Sequence, residues 1–154
     1  MRRRSFTFLA LLSLGLAAGC SSSTVEVSTE PMAGLVGNAP WVLASAETNA
    51  FLSERSLTFF ATAYGEALTP CTGAGSASNG NRLILNIPKT AGDYLLSDSL
   101  TQTFYMTAGN TNYIATDGRM IVDEVTATAI SVHAHFRFDG ANEVDGRFAV
   151  TVCP

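Results

Sequence analysis

The sequence predicts an all-β fold, an antiparallel β-sandwich or small barrel of about nine short strands, and three observations carry that expectation. The first is alternation. From Ile130 through Phe138 every even position is apolar and every odd one polar, a period of two that fits a half-buried strand and no helix. The second is a matching run at the end of the chain, Arg147 to Val152. It is separated from the first by turn chemistry in Asp139-Gly140-Ala141-Asn142 and in Asp145-Gly146, so the two runs read as a closing hairpin. The third is punctuation, because Gly, Pro, Asn and Asp cut the rest of the chain into short β-branched or aromatic segments without helical caps or period.

Taken in order, Trp41 to Glu47 is the first predicted strand. It is followed by Leu57–Ala63, Arg82–Ile87, Gly92–Ser97, Leu100–Ala108, Asn112–Ala115 and Arg119–Val125, then by the closing pair. Thr72 to Asn81 carries Gly73, Gly75 and Gly80 and no large side chain, and is the loop expected to move most. Ser21 to Pro31 is rich in hydroxyls and acids and short of large side chains. It reads as a flexible tether, because it offers too little apolar area to offset the entropy of ordering it. Met32 to Pro40 is a Gly- and Ala-rich lead-in, and residues 32–154 suffice for one domain with one hydrophobic core.

The first twenty residues carry an address. Met1-Arg2-Arg3-Arg4 precedes an apolar run, Ser5 to Leu16, that is too short to span a bilayer permanently, and Ala17-Ala18-Gly19-Cys20 follows. This pattern resembles the lipobox signal peptide of bacterial lipoproteins, with Ala17 where that family most often has leucine. The resemblance implies that residues 1–19 are a signal peptide. It also implies that Cys20 becomes the acylated first residue of the mature protein and that residues 20–31 tether it to the membrane. Ser21 after the cysteine implies sorting to the outer membrane in a Gram-negative host. The body resembles small uncharacterised β-sandwich lipoprotein domains of myxobacteria and Bacteroidetes in Gly118-Arg119-Met120-Ile121-Val122 and in the run Val144 to Cys153. That likeness implies a fold and no activity.

Charge excludes some partners. Removing the signal takes three arginines with it, leaving six basic against thirteen acidic residues and a net charge of −7. Nucleic acid is therefore not an expected partner, and acyl chains rather than basic side chains would supply the membrane attachment. Three cysteines are present, and with Cys20 acylated the remaining pair, Cys71 and Cys153, reads as a disulfide in an oxidising compartment.

Candidate chemistry is sparse, and no cofactor motif is present. His133 and His135 lie two apart on a predicted strand and share a face, a spacing that offers two imidazoles to zinc or copper. The simpler expectation places both on a solvent face with Ser131 and Arg137. No serine sits in a Gly-x-Ser-x-Gly elbow. Asp123 and Glu124 are adjacent and are expected on opposite faces. Asp139, Asn142, Glu143 and Asp145 offer oxygen ligands for calcium, but their spacing does not match the EF-hand loop and turn chemistry is the commoner use of such residues. Tyr64, Tyr94, Tyr105 and Tyr113 can form a glycan-stacking platform or pack a core.

The preferred expectation is a lipid-anchored envelope protein whose non-catalytic β domain binds another envelope protein or a glycan. The alternative is a small secreted hydrolase whose site is assembled only in the fold. A cleft gathering a histidine, an acid and a hydroxyl would favour the enzyme, and a flat face with exposed aromatics would favour the binding module.

Overall fold

The computed structural model describes residues 25–50, 56–73, 80–96, 100–107 and 109–154. The signal segment with Cys20, and residues 74–79 of the Thr72–Asn81 loop, lie outside the described residues. The described residues form eleven strands: β1 Ala33–Val36, β2 Ala39–Val42, β3 Ser45–Asn49, β4 Thr58–Tyr64, β5 Arg82–Pro88, β6 Gly92–Leu95, β7 Thr103–Met106, β8 Asn112–Ile114, β9 Asp117–Val125, β10 Ala129–Arg137 and β11 Glu143–Cys153. All belong to one sheet, ordered β6-β9-β10-β11-β3-β4-β5-β7-β8 and curled into a half-barrel. β1 joins β11, and β2 joins β1.

The all-β expectation holds, with four differences in detail. Trp41 to Glu47 is two strands rather than one, because the chain changes partner between them. The Leu43 N–H donates to the Met32 carbonyl and the next N–H, of Ala44, donates to the Tyr64 carbonyl, so β2 faces β1 while β3 pairs β4. The lead-in supplies β1, whose small residues fit between β2 and β11. The sheet is also not wholly antiparallel, since β11 runs parallel to β3 over Thr151–Cys153 and Glu47–Asn49.

The fourth difference is at Asp145-Gly146, which is not a turn. The Asp139–Asn142 turn alone closes the β10–β11 hairpin, and β11 runs through both residues, pairing Asp145 with His135 and Gly146 with Ala134. Glycine is needed there for a different reason. Gly146 has φ 138°, and a Cβ on it would lie 2.5 Å from Met32 Cα and 2.7 Å from the Glu30 carbonyl oxygen. A passing segment takes that space: the Arg147 N–H donates to Glu30 O at 2.7 Å, and the Met32 N–H donates to Arg147 O at 3.0 Å.

The inner face carries the core. Met120 and Val122 of β9, Ile130, Val132, Ala134 and Phe136 of β10, and Val144, Phe148 and Val150 of β11 are buried, as the even-numbered alternation requires. Leu83, Leu85 and Ile87 of β5 with Ala61 and Ala63 of β4 complete it from the other arm, and Trp41 closes one opening with its indole N–H donating to Asn81 O. Buried hydroxyls are satisfied: Thr48 Oγ1 donates to Phe60 O and Thr101 Oγ1 to Leu95 O, both at 2.8 Å.

Strand ends gather at two rims. At the first, the Asn38 N–H donates to Asn142 Oδ1, the Asn81 amide to Val36 O and the Thr116 N–H to Arg137 O. At the second, the Val152 N–H donates to Thr128 O and the Lys89 N–H to Leu57 O, and Cys153 is bonded to Cys71. Along β11, Asp145 and Cys153 are eight residues apart, so the rims stand about 27 Å from one another.

Candidate functional site

The outer face of β9, β10 and β11 gathers acidic, basic and histidine side chains, because the odd positions of these strands are largely polar. Two cross-strand rows follow from the register. Arg119 lies beside His135 and His135 beside Asp145; one step along, Ile121, His133 and Arg147 are neighbours.

The first row is covered by the chain's own N-terminal segment. The Val25 carbonyl accepts from Arg119 Nη1 at 2.8 Å, and the Ser28 N–H donates to Asp145 Oδ1 at 2.9 Å. These anchors sit on β9 and β11, about 9.6 Å apart by strand spacing, and three extended residues cover about 10 Å, so Val25–Ser28 crosses β10 directly over His135. The crossing corrects two expectations. His135 is buried, with 9% of its side chain exposed, and is not on a solvent face. The segment Ser21–Pro31, expected to be flexible throughout, is docked from Val25 onward. Its signal was Val25-Glu26-Val27-Ser28, a short alternation in which Val25 and Val27 are half-buried and Glu26 exposed.

His135 sits among acids without a hydrogen bond. Its Nε2 is 3.7 Å from Glu143 Oε1 and its Nδ1 4.0 Å from Asp145 Oδ2, both beyond hydrogen-bond range, and Nε2 is buried without a partner. Glu143 is held instead by Arg137, whose Nε donates to Oε2 at 3.1 Å.

The second row opens into a cleft of about 400 Å³ lined by Pro31, Asp123, Ser131, Val132, His133, Arg147, Phe148 and Ala149. A register shift between Ser131 and Val132 leaves Asp123 as the extra residue of a β-bulge. Asp123 and Glu124 are consequently both exposed, against the expectation of opposite faces, and Asp123 Oδ2 comes within 3.4 Å of His133 Nε2. A histidine, an acid and a hydroxyl thus share one cleft beside an arginine, and no hydrogen bond joins Ser131 to His133.

The two histidines do not converge on a metal, since His133 faces Asp123 and His135 faces Glu143 and Asp145. The proposed calcium ligands are occupied by protein donors. Asp139 accepts from the N–H groups of Ala141 and Asn142 and from the Asn142 side chain, which holds its carboxyl below the usual carboxylate range. Glu143 pairs with Arg137 and Asp145 with the Ser28 N–H. Among the described residues, one group of three potential metal ligands is close enough to share an ion, Glu47 with Cys71 and Cys153, and its two sulfurs are bonded to each other.

The tyrosines form no shared platform either. Tyr64 and Tyr105 are buried, and burial pushes both phenols up from their ordinary value. Tyr113 is exposed but stacks on Tyr105 at 4.7 Å between ring centroids, and Phe138 meets Tyr105 edge-on at 5.0 Å.

No protein-family model, curated protein or solved structure matches this chain.

Cys71 and Cys153 form a disulfide with Cα atoms 5.3 Å apart, the pairing expected from the sequence. The bond fastens the end of β11 to the segment after β4. Glu47 on the adjacent β3 accepts from the Cys71 N–H at 2.7 Å, and a second cleft of about 360 Å³ opens beside it, lined by Thr48, Asn49, Phe60 and Thr62 among others.

Proposed function

We propose that this is a lipid-anchored envelope protein whose β domain acts as a non-catalytic binding or structural module. The observation that carries the reading is the disulfide. It consumes two of the chain's three cysteines, and the third is Cys20, at the end of the lipobox-like signal. A disulfide fits an exported protein, and a lone cysteine at that position fits thioether acylation. The mature chain's −7 charge gives anionic lipid no electrostatic hold, so the acyl chains would supply the attachment. Expression of the full chain in a Gram-negative host tests this: the mature protein should begin at Cys20, carry acyl mass there and sediment with membranes. Cys20→Ala should leave it unprocessed or soluble. Membrane retention of a correctly cleaved Cys20→Ala protein would refute the reading.

One observation favours a second reading, a small hydrolase: Ser131, His133 and Asp123 line the same cleft as Arg147. In that reading His133 would take the proton of Ser131 while Asp123 orients the ring and Arg147 holds an anionic substrate group. Turnover of a p-nitrophenyl ester that is lost in both His133→Ala and Ser131→Ala would support it, and absence of turnover, or turnover unaffected by His133→Ala, would dismiss it.

A further inference from the structure

We infer that the first rim of the half-barrel, carrying Leu95, Tyr113 and Ile114, faces and touches the bilayer into which the acyl chains of Cys20 insert. The inference rests on the lipoprotein reading and adds an orientation to it. Its first support is the number of residues between Cys20 and the first anchored residue. Val25 is five positions after Cys20, and Val25 is fixed to Arg119. Five residues reach at most about 18 Å, so the Arg119 corner of the domain stays within that distance of the membrane. Without the docked segment the nearest fixed point would be Met32, twelve residues away and up to about 42 Å, far enough for the domain to turn freely.

The direction of exit decides which end is down. From Met32 back to Val25 the segment crosses from β11 over β10 to β9, so its N-terminal end leaves beside β6, one of the sheet's edge strands. Leu95 of β6 is the register partner of Arg119, and it lines one cleft with Ala115, the residue after Ile114 of β8. Leu95, Tyr113 and Ile114 therefore lie next to the exit, and they are 58%, 43% and 58% exposed. The second rim, about 27 Å along β11, is beyond the reach of the short tether.

Charge neither draws nor anchors this contact. Asp117, Asp139, Glu143 and Asp145 outnumber Arg119 and Arg137 near the first rim, so the fitting surface is a zwitterionic bilayer, approached because the tether is short and met through the three apolar side chains.

Hydroxyl-radical footprinting of the native acylated protein in phosphatidylcholine/phosphatidylethanolamine vesicles tests the orientation, with soluble Cys20→Ala protein as reference. Leu95, Tyr113 and Ile114 should lose labelling in the vesicles while Leu57 and Phe60 at the second rim keep theirs. A Gly/Ser insertion that doubles the Cys20–Val25 spacing should restore labelling at the first rim. Uniform labelling, or protection of Leu57 and Phe60 instead, on a protein shown by mass to be acylated would overturn this inference and leave the lipoprotein reading intact. An unacylated Cys20 would overturn both.

Discussion

Replacing Phe136 by alanine tests the packing of the half-barrel at its centre. Phe136 is fully buried on β10, between Gly118 of β9 and Val144 of β11 in register. Truncating the ring returns on the order of 150 Å² of apolar burial, which at about 25 cal/mol per Å² is about 3.8 kcal/mol. The cavity adds to this, and here it collapses poorly. Gly118 lies against the ring and has no side chain to move in, so the loss should fall in the upper part of the range of about 3–5 kcal/mol for such truncations. Urea unfolding of the oxidised domain, followed by the intrinsic fluorescence of its single tryptophan, Trp41, measures it. Leu57→Ala is the control: Leu57 is 77% exposed, and its loss should stay within about 0.5 kcal/mol. If Phe136→Ala cost less than about 1 kcal/mol, the burial assigned to the inner face would be wrong.

Further outcomes follow from the same contacts. The disulfide closes a sequence separation of 82 residues, for which chain entropy alone gives on the order of 4.5 kcal/mol, and Cys153→Ala should lower stability by about 2–5 kcal/mol. Non-reducing peptide mapping should recover the Cys71–Cys153 pair, and two alkylatable thiols in native protein would contradict it. Gly146→Ala should push Glu30–Met32 off β11 and speed hydrogen exchange at the Arg147 and Met32 amides, whereas unchanged exchange there would mean the crossing is not held as described. The hydrogen bonds that depress Asp139 stabilise the fold above its unfolded value, about 3.9, and that contribution disappears as pH falls through the lower folded value. Asp139→Ala should therefore be less stable than wild type at neutral pH and converge with it in acid. A gap that persisted unchanged at low pH would assign the loss to something other than the carboxylate. Diethyl pyrocarbonate should modify the partly exposed His133 well before the covered His135, and equal rates would deny the cover.

The strands that were legible in the sequence are those whose two faces meet different surroundings. Ile130 to Phe138 alternates because one face meets the core and the other the solvent or the docked segment, and a period of two survives any detail of sheet order. β1 was not legible, because Ala33 and Gly34 carry too little side chain to show a period. Asp145-Gly146 was misread for a related reason. Asp-Gly is the commonest turn signal, and here the glycine serves a close backbone approach whose other member lies more than a hundred residues earlier.

The same long-range crossing explains why the histidines were read alike and are not. Both occupy odd positions of one strand, and periodicity assigns a residue to a face without saying what covers that face. The cover over His135 is set by two polar anchors, Arg119 and Asp145, that bind main-chain groups of Val25 and Ser28 and carry no sequence signature of their own. His133, one register step away, lies beyond those anchors and borders an open cleft, where a single extra residue on β9 brings Asp123 to it. The outer face is therefore divided between two uses: a closed half that fixes where the N-terminal segment leaves the domain, and an open half that gathers the only histidine-centred group with room beside it. A ligand for this protein is best sought at the open half, because occupying the closed half would require displacing the segment and with it the short connection to Cys20.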